Sequence, residues 1–255
     1  MKLRFLYRTW RARLRDQRTE IATARELIRR GDCVADIGAN KGAYLFWLRR
    51  AAGRRGAVLA FEPQPTLAGY LTAMVSAFGW TNVRIHDVAL SSARGTSLLH
   101  VPGAAVSPSA SLEPSVLRET TGVMMECRVE TLDNVLAQER VGPLRFAKVD
   151  VEGHELAVFK GAEGTLRHDK PYLLFECEER HLTTHSPRDV FAFLERLGYD
   201  GYLIHERGFV PVRDFDPAIH QKNDGPRYWA AEDYYNNFLF VPAGFDISAL
   251  QRRVR

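Results

Sequence analysis

The residues best suited to chemistry surround a short apolar stretch that ends in an acid and a glycine-bearing turn. Residues 33–42 read CVADIGANKG, with Asp36 at the end of the apolar run and Gly38, Asn40 and Gly42 in the turn. Glycines at such a strand-to-helix turn let a ligand approach the backbone closely, since a Cβ would collide. The N-terminus of the following helix favours negative charge. The segment therefore suits a ligand that carries a carboxylate, with Asp36 meeting a neighbouring amino group.

Two further acids follow the next two predicted strands. Glu62 lies in a Phe-Glu-Pro sequence, about twenty residues after the turn, where an acid can accept both ribose hydroxyls of an adenosine. Asp87, Val88 and Ala89 end the strand after that and could frame an adenine. The three segments together predict a site for an adenosine that bears an amino-acid end, as in S-adenosylmethionine.

A nicotinamide dinucleotide is the alternative ligand for a site of this type. Its fingerprint is G-x-G-x-x-G, which is shaped to hold a pyrophosphate. In this chain Asn40 stands where the second glycine would be, and the glycines are Gly38 and Gly42. The spacing therefore argues against the dinucleotide.

A second group of ionisable residues follows two later strands of the predicted sheet. Its members are Asp150, Glu152, His154, Glu176 and His181. Open α/β sheets bind ligands at the carboxyl ends of their strands, so we expect this group to face the same pocket. Asp150, His154 and His181 are candidates for a general base. Glu152 and Glu176 are candidates for acceptor binding, although Glu152 could simply favour the start of the next helix.

Metal and disulfide chemistry are not expected. Asp150, Glu176 and a histidine could hold a divalent cation, but their spacing matches no recognised ligand motif. The three cysteines are an odd number and lack metal-like or redox-like spacing, which is typical of a reducing compartment. No long apolar run or secretory signal is present, so we expect a cytoplasmic protein.

Short apolar strands alternate with helices along most of the chain and position these residues. The predicted strands are Cys33–Ile37, Ala57–Phe61, 83–88, Leu144–Val149, Tyr172–Glu176, 202–205 and 237–241. The predicted helices between them are Ala43–Ala52, 66–78, 132–138, 154–166 and 187–197. This pattern predicts a Rossmann-like α/β domain over residues 31–255, with a mainly parallel seven-stranded sheet, an antiparallel C-terminal edge and helices on both faces.

Residues 1–30 form a separate basic helical arm in this interpretation. They carry ten basic and three acidic residues, whereas the remainder of the chain has a net charge of −3. Because the excess of basic over acidic residues lies outside the predicted catalytic body, we expect no nucleic-acid partner. Residues 1–18 carry an apolar stripe and an arginine-rich stripe. This pattern allows two interpretations: a helix that attaches to an anionic membrane or an acidic partner, and a helix that caps the body.

The stretch from Pro102 to Thr121 interrupts the alternation. It is rich in serine, proline, alanine and glycine and has no clear period. Long loops in compact domains often serve as lids. The sequence leaves open whether this one covers a site or is a plain surface excursion.

Seven segments in order resemble one family, the FkbM-type methyltransferases. They are Asp36-Ile-Gly-Ala-Asn-Lys-Gly, Ala60-Phe-Glu-Pro-Gln-Pro, Ala89-Leu-Ser, Thr131-Leu-Asp, Lys148-Val-Asp-Val-Glu-Gly-His-Glu, Lys160-Gly-Ala and Pro171-Tyr-Leu-Leu-Phe-Glu. The resemblance spans about Gly31 to Gly198 and implies methyl transfer from S-adenosylmethionine to a hydroxyl of a sugar, polysaccharide or polyketide-type product in bacteria. Asp36, Gly38, Asn40 and Gly42 would hold the methionine part.

The remaining positions carry over in the same way. Glu62 would hold the ribose, residues 87–89 the adenine, and Asp150 with its neighbours would face the acceptor. Two alternatives stay open: an N-methyltransferase acting on a small amine, and a non-catalytic binding module that retains the fold.

Overall fold

An eight-stranded sheet forms the centre of the protein in a computed structural model, which describes residues 1–103, 106–113, 121–205, 208–225, 227–231 and 233–254. The strands are β1 Cys33–Ile37, β2 Ala57–Phe61, β3 Val83–His86, β4 Ala89–Leu90, β5 Gly95–Pro102, β6 Gly122–Glu130, β7 Leu144–Val149, β8 Tyr172–Glu176, β9 Tyr199–His205, β10 Gly208–Pro211 and β11 Asn237–Pro242. The helices are α1 Lys2–Arg11, α2 Arg18–Leu27, α3 Ala43–Ala52, α4 Pro65–Phe78, α5 Leu132–Glu139, α6 Glu155–Lys160, α7 Glu163–His168, α8 Pro187–Arg196, α9 Pro217–His220 and α10 Ile247–Val254.

The order of the main sheet confirms the predicted fold class. Its strands run β10-β9-β11-β8-β7-β1-β2-β3. The strands from β8 to β3 pair in parallel, whereas β11, β9 and β10 join antiparallel at the other edge. The sheet has eight strands where seven were predicted, since β10 folds back on β9 as a short hairpin.

A second sheet of three strands, in the order β4-β6-β5, was not predicted. Strands β5 and β6 pair antiparallel on either side of the stretch that was expected to be a loop. Several outward-facing residues of these strands are apolar, among them Leu98 and Val123, which blurs the two-residue alternation that marks a half-buried strand. Residues 104, 105 and 114–120 of the predicted loop lie outside the described residues.

Alternation along the central strands explains where the site acid points. Cys33, Ala35 and Ile37 of β1 enter one apolar cluster, whereas Val34 enters another with residues of α1, α2 and α3. Because side chains of a strand alternate between faces, Asp36 lies on the same side as Val34. Lys148 is its direct partner in the β1–β7 register. The two charged residues are therefore neighbours on one buried face.

The chain from 154 to 168 is broken into two short helices, so the predicted continuous helix was wrong. The helix α6 ends at Lys160, and α7 begins at Glu163. At the break, a Cβ on Gly161 would lie 1.9 Å from the carbonyl oxygen of Ser91. The backbone leaves the helical path at a point where the loop after β4 packs directly against it.

Replacing Gly161 by alanine is expected to lower the melting temperature by about 6 °C or more. A Cβ at that position meets rigid backbone, and overpacking of this kind costs about 3 kcal/mol. Gly69→Ala is a matched control, because Gly69 lies in α4 and a Cβ added there would meet nothing within 4 Å. Alanine should stabilise that helix by about 0.5–1 kcal/mol. Thermal unfolding of both variants tests the contrast, and equal stability of the two would contradict it.

Residues 1–27 pack on the main body as two helices joined by a π-helical turn at Ala12–Asp16. Phe5 and Ile21 are fully buried in the same apolar cluster as Trp47 and Leu48 of α3. None of the described helices is both long and apolar enough to cross a membrane.

Candidate functional site

Two adjoining cavities open at the carboxyl ends of β1, β2 and β7, and they share Gly38, Asn40, Pro108 and Asp150. The first is lined mainly by Ile37, Phe61, Glu62, Gln64, Val88, Ala89, Leu90, Ser111, Leu112 and His154. The second is lined by Arg8, Gln17, Asp36, Ala39, Lys41, Tyr44, Lys148 and Glu152. One cavity is mostly apolar and the other strongly charged, so together they suit a ligand with a flat apolar part and a charged part.

Asp36 carries a buried charge in the second cavity. Its side chain accepts a hydrogen bond from the backbone of Leu45 near the start of α3, whereas Oδ2 lacks a hydrogen-bond partner among the described residues. Burial raises the pKa of Asp36 to about 7, although the charge of nearby Lys148 opposes this rise. An acid in this state gains most from a cationic ligand that approaches Oδ2.

Lys148 is the buried cation that balances this acidic region. Its Nζ lies 3.5 Å from Oδ2 of Asp150, donates a hydrogen bond to the carbonyl oxygen of Val149, and sits 5.2 Å from the centre of the Tyr44 ring. Only 1% of the lysine is exposed. A buried ammonium of this kind partly offsets the electrostatic repulsion between the carboxylates of one pocket.

The turn after β1 is shaped more by the protein than by a ligand. A Cβ on Gly38 would lie 1.9 Å from the carbonyl oxygen of Asp150, and one on Gly42 would lie 2.9 Å from both Leu71 and Phe5. Both glycines have positive φ. Gly38 lines the cavities, but Gly42 does not. Close packing, against backbone at Gly38 and against side chains at Gly42, thus explains these glycines, where the sequence had suggested room for a ligand.

Asn40 and Glu62 connect the ends of β1 and β2. The backbone N–H of Asn40, which has a φ of 46°, donates to Oε2 of Glu62 at 2.8 Å. The backbone N–H and the side-chain amide of Gln64 donate to Oε1. Burial raises the pKa of Glu62, and these hydrogen bonds oppose the rise. The carboxylate is held rigidly at the cavity wall, and of its roughly four lone-pair sites about one, on Oε2, is left to accept a hydroxyl group.

Residues 106–113, here termed the covering segment, lie across the first cavity. Pro108, Ala110, Ser111 and Leu112 belong to its lining. Gln64 holds one end of the segment, because its amide donates to the carbonyl of Ser107 and accepts from the N–H of the same residue, both at 2.9 Å. Ser111 holds the middle through two backbone hydrogen bonds to His100. The described part of the predicted loop therefore covers the site.

Replacing Gln64 by leucine is expected to speed amide exchange at Ser107 by about tenfold or more. The substitution removes both hydrogen bonds that hold this end of the covering segment, and each such bond contributes about 0.5–1.5 kcal/mol. Hydrogen–deuterium exchange measured by mass spectrometry checks the effect. Thr72→Ala serves as the control, because its hydroxyl bonds only within α4. Unchanged exchange in residues 106–113 of the leucine variant would contradict the assignment.

His154 joins the covering segment to the loop after β4. Its Nδ1 lies 2.6 Å from Oε1 of Glu113, and its Nε2 lies 2.8 Å from Oγ of Ser91. Both ring nitrogens are therefore occupied by protein groups. The hydroxyl of Ser111 adds a further bond from the segment to the carbonyl of Glu152, at 2.6 Å. In this arrangement His154 holds the covering segment in place over the cavity.

Glu152 and His181 form a partly buried pair behind Asp150. Oε2 of Glu152 lies 3.3 Å from Nδ1 of His181. Burial, and then the charge of Asp150, raise the pKa of Glu152 well above its usual range. Burial and the neighbouring Arg180 lower the pKa of His181 to about 4. Glu152 lines the second cavity, whereas His181 lies outside both linings.

Glu176 belongs to a neighbouring polar network around Glu178. Arg180 binds both oxygens of Glu178, and Asn236 donates to Glu176 at 2.7 Å and to Glu178 at 3.2 Å. Burial alone would raise the pKa of Glu178, but the hydrogen bonds from Arg180 lower it to about 2. Burial and Asp150 raise the pKa of Glu176. Glu176 therefore faces this network and is not among the residues that line the two cavities.

The structure brings together most of the residues that the sequence singled out. Those that line the cavities are Asp36, Gly38, Asn40, Glu62, Val88, Ala89, Asp150, Glu152 and His154. Asp87 is exposed and, like Gly42, Glu176 and His181, lies outside the linings. Arg8 and Gln64 were missed, since their contacts with the site join residues 33 to 43 positions apart in the chain. The covering segment belongs to the stretch whose role the sequence left open.

The charged groups of the second cavity fit an amino-acid end of a ligand. The unpartnered Oδ2 of Asp36 would accept from an ammonium group, and Arg8, whose Nη1 donates to the carbonyl of Lys41 at 3.1 Å, could meet a carboxylate. The apolar wall at Val88, Ala89 and Leu90 suits a flat ring. Among the residues that the structure describes, no three His, Cys, Asp or Glu side chains are grouped to hold a metal ion.

Comparisons with known proteins concern the family and the fold of the chain. Residues 36–200 match the family model described as the methyltransferase FkbM domain. The fold is similar to that of a methyltransferase FkbM from Methylobacillus flagellatus, with a TM-score of 0.51, 17% identity, and 82% of this chain and 43% of that chain covered. A SAM-dependent methyltransferase from Aquifex aeolicus matches with a TM-score of 0.47 and 16% identity, covering 90% and 92%. A search of curated proteins gave no match. With 43% of the Methylobacillus protein covered, the chain spans less than half the length of that protein.

Proposed function

Because the chain belongs to the FkbM methyltransferase family, we propose that it transfers a methyl group from S-adenosylmethionine to a hydroxyl group of a small molecule or glycan. The observation that carries the proposal is the buried Oδ2 of Asp36, which has no hydrogen-bond partner among the described residues and lies in a charged cavity lined also by Arg8. A zwitterionic amino-acid end satisfies both residues at once. The adjoining apolar cavity, with Glu62 at its wall, accommodates a nucleoside.

The residues that would hold the cofactor divide between the two cavities. Asp36 and Arg8 would bind the amino-acid end, Glu62 would accept a ribose hydroxyl, and Val88 and Ala89 would contact the adenine. When bound, S-adenosylmethionine supplies an electrophilic methyl group on a positively charged sulfur. The protein aligns the reactants and excludes water, and orientation alone can contribute about 7–11 kcal/mol.

An oxygen acceptor requires a base, and Asp150 is the candidate that the geometry favours. Its carboxylate borders both cavities and is 28% exposed at the side chain, so an acceptor hydroxyl can reach it. His154 would first have to release Ser91 or Glu113. His181 is buried behind Glu152. We therefore assign proton acceptance to Asp150 and a supporting role to the two histidines.

The ammonium of Lys148 lies 3.5 Å from the proposed base, Asp150. The carboxylate of Asp150 can accept the proton that an alcohol loses as its oxygen attacks the methyl group. An amine would need less help from a base, so this arrangement favours oxygen over nitrogen. Substrates such as sugars and polyketide-type alcohols present hydroxyl groups of the required kind.

Product analysis tests the proposal. The full chain is incubated with S-adenosylmethionine labelled with ¹³C in the methyl group and with a panel of sugars, glycan fragments, polyketide-type alcohols and small amines. We expect a new methyl ether resonance in the NMR spectrum with a hydroxylated acceptor. Labelled methylamine products only, or cofactor binding without transfer to any member of the panel, would count against O-methylation.

A further inference from the structure

An apolar stripe lies exposed along the N-terminal helix. Its members are Leu3, Tyr7, Trp10 and Leu14, with relative exposures of 83%, 70%, 45% and 67%. Their spacing of three and four residues places them on one side of a helix with 3.6 residues per turn. Four large apolar side chains in a row, all substantially exposed, are costly in water unless another surface covers them.

The helix attaches to the body mainly through the side opposite this stripe. Phe5, Thr9 and Ala12 are buried, and at helical spacing they lie on the opposite side. The ring of Phe5 packs against Trp80, and Nε1 of Trp47 donates to the carbonyl of Thr9 at 2.8 Å. The helix therefore caps the body, as one of the two sequence interpretations held. Of the stripe, Trp10 also contacts the body, since its ring centre lies 5.0 Å from that of Trp47. Leu3, Tyr7 and Leu14 remain at least two-thirds exposed.

Cations surround the stripe. Residues 1–18 contain seven basic side chains and a single acid, Asp16. Lys2, Arg4, Arg11 and Arg15 are exposed along the helix. Arg13 lies above the ring of Trp47 together with Arg25 of α2. The result is an apolar strip within a wide basic surface.

We propose that this face of the N-terminal helix docks onto an anionic lipid surface. Amphipathic helices of this composition lie in the interface plane of a membrane, with aromatic and leucine side chains inserted and arginines near the headgroups. Tyrosine and tryptophan are favoured at that depth. The stripe supplies the insertion, and the surrounding cations supply the attraction to negative charge.

Charge complementarity favours lipid over the other occupants of such a face. A second copy would bring the same basic residues of both chains together across a symmetric interface. Nucleic acid would use the arginines but leave the leucines uncovered. An anionic bilayer satisfies both components at once.

The docking helix also borders the candidate site. Arg8, on the same helix, donates to the carbonyl of Lys41 and lines the cavity that contains Asp36. Docking would therefore hold the mouth of that cavity close to the lipid surface. The inference does not depend on methyl transfer, since it concerns binding alone.

Vesicle flotation with the full chain tests the docking. Vesicles of phosphatidylcholine are compared with vesicles of equal parts phosphatidylcholine and phosphatidylglycerol. We expect at least about tenfold stronger binding to the anionic vesicles, lost in high salt as the screening length falls from about 10 Å at 0.1 M to about 3 Å at 1 M. Equal binding to both vesicle types, or to neither, would overturn the proposal.

Two triple variants separate the stripe from general apolar exposure. Leu3→Ser, Tyr7→Ser and Leu14→Ser together should reduce binding to anionic vesicles by about tenfold or more. Leu98→Ser, Met124→Ser and Ile219→Ser remove exposed apolar residues of other elements and should bind as the wild type. Circular dichroism and light scattering verify that both are folded. Undiminished vesicle binding by the stripe variant, or a wild-type dimer that this variant converts to monomer, would overturn the assignment.

Discussion

Asp36→Asn is expected to weaken the binding of S-adenosylmethionine by at least about 30-fold while raising the melting temperature of the free protein. Loss of one partner of a buried charge pair costs about 2–5 kcal/mol, which sets the size of the binding defect. The gain in stability has a separate cause. In the part of the chain that the structure describes, the buried Oδ2 of Asp36 has no hydrogen-bond partner, and asparagine removes the charge of this group.

The same residue predicts a pH dependence. The pKa of Asp36 rises from an ordinary 3.8 to about 7 because the group is buried. Folding therefore favours the protonated acid, and the free protein loses stability as the pH rises through this interval. Cofactor affinity should change in the opposite sense, falling as the pH drops below about 7, because the neutral acid cannot hold an ammonium group. The asparagine variant should lack the affinity trend and show a smaller loss of stability with rising pH, because other buried carboxyl groups with raised pKa, such as Glu62 and Glu152, remain.

Calorimetric titration and thermal unfolding at several pH values check these effects. Glu195→Gln removes an exposed carboxylate of α8 and serves as the control, which should bind and unfold as the wild type. An asparagine variant with wild-type affinity would show that Asp36 does not hold the cofactor. A variant less stable than the wild type above neutral pH would contradict the interpretation of the buried charge.

Asp150→Asn is expected to lower turnover by about 10²–10⁴-fold while the affinity for S-adenosylmethionine changes only a few-fold. A positioned base contributes an effect of this size. Asparagine keeps the shape of the side chain and the backbone carbonyl against which Gly38 packs. His154→Gln and His181→Gln are the comparison variants, and each should lower turnover less than Asp150→Asn. The loss in His154→Gln should come from weaker attachment of the covering segment, and the loss in His181→Gln from the missing contact with Glu152.

Steady-state kinetics with an acceptor from the product screen, combined with calorimetry, separate these roles. If neither Asp150→Asn nor either histidine variant lowers turnover by about tenfold, base catalysis by this group is wrong. A histidine variant that loses far more than Asp150→Asn would move the role of the base to that histidine.

The features that could be predicted from the sequence are local in the chain. The strand, acid and turn at residues 33–42 lie within one short segment, and the parallel sheet follows from strand–helix alternation. Asp36, Glu62 and Asp150 meet because the carboxyl ends of parallel strands share one edge. Their assembly follows from topology and needs no knowledge of side-chain contacts.

The features that were missed depend on contacts between distant segments. Gln64 meets Ser107 across 43 positions and Glu113 meets His154 across 41, and no periodic pattern links such pairs. The break at Gly161 arises from the carbonyl of Ser91, which belongs to another loop. The apolar stripe of the arm was visible, but only the structure shows that Phe5 holds the helix and leaves the stripe exposed.

Isothermal titration of the full chain with S-adenosylmethionine, with NAD as the control ligand, tests the central claim most directly. The account predicts saturable micromolar binding of S-adenosylmethionine and none of NAD, since Asp36 and Arg8 suit an amino-acid end. No binding of S-adenosylmethionine by a folded sample would contradict the account and leave a protein that keeps the methyltransferase fold without its cofactor.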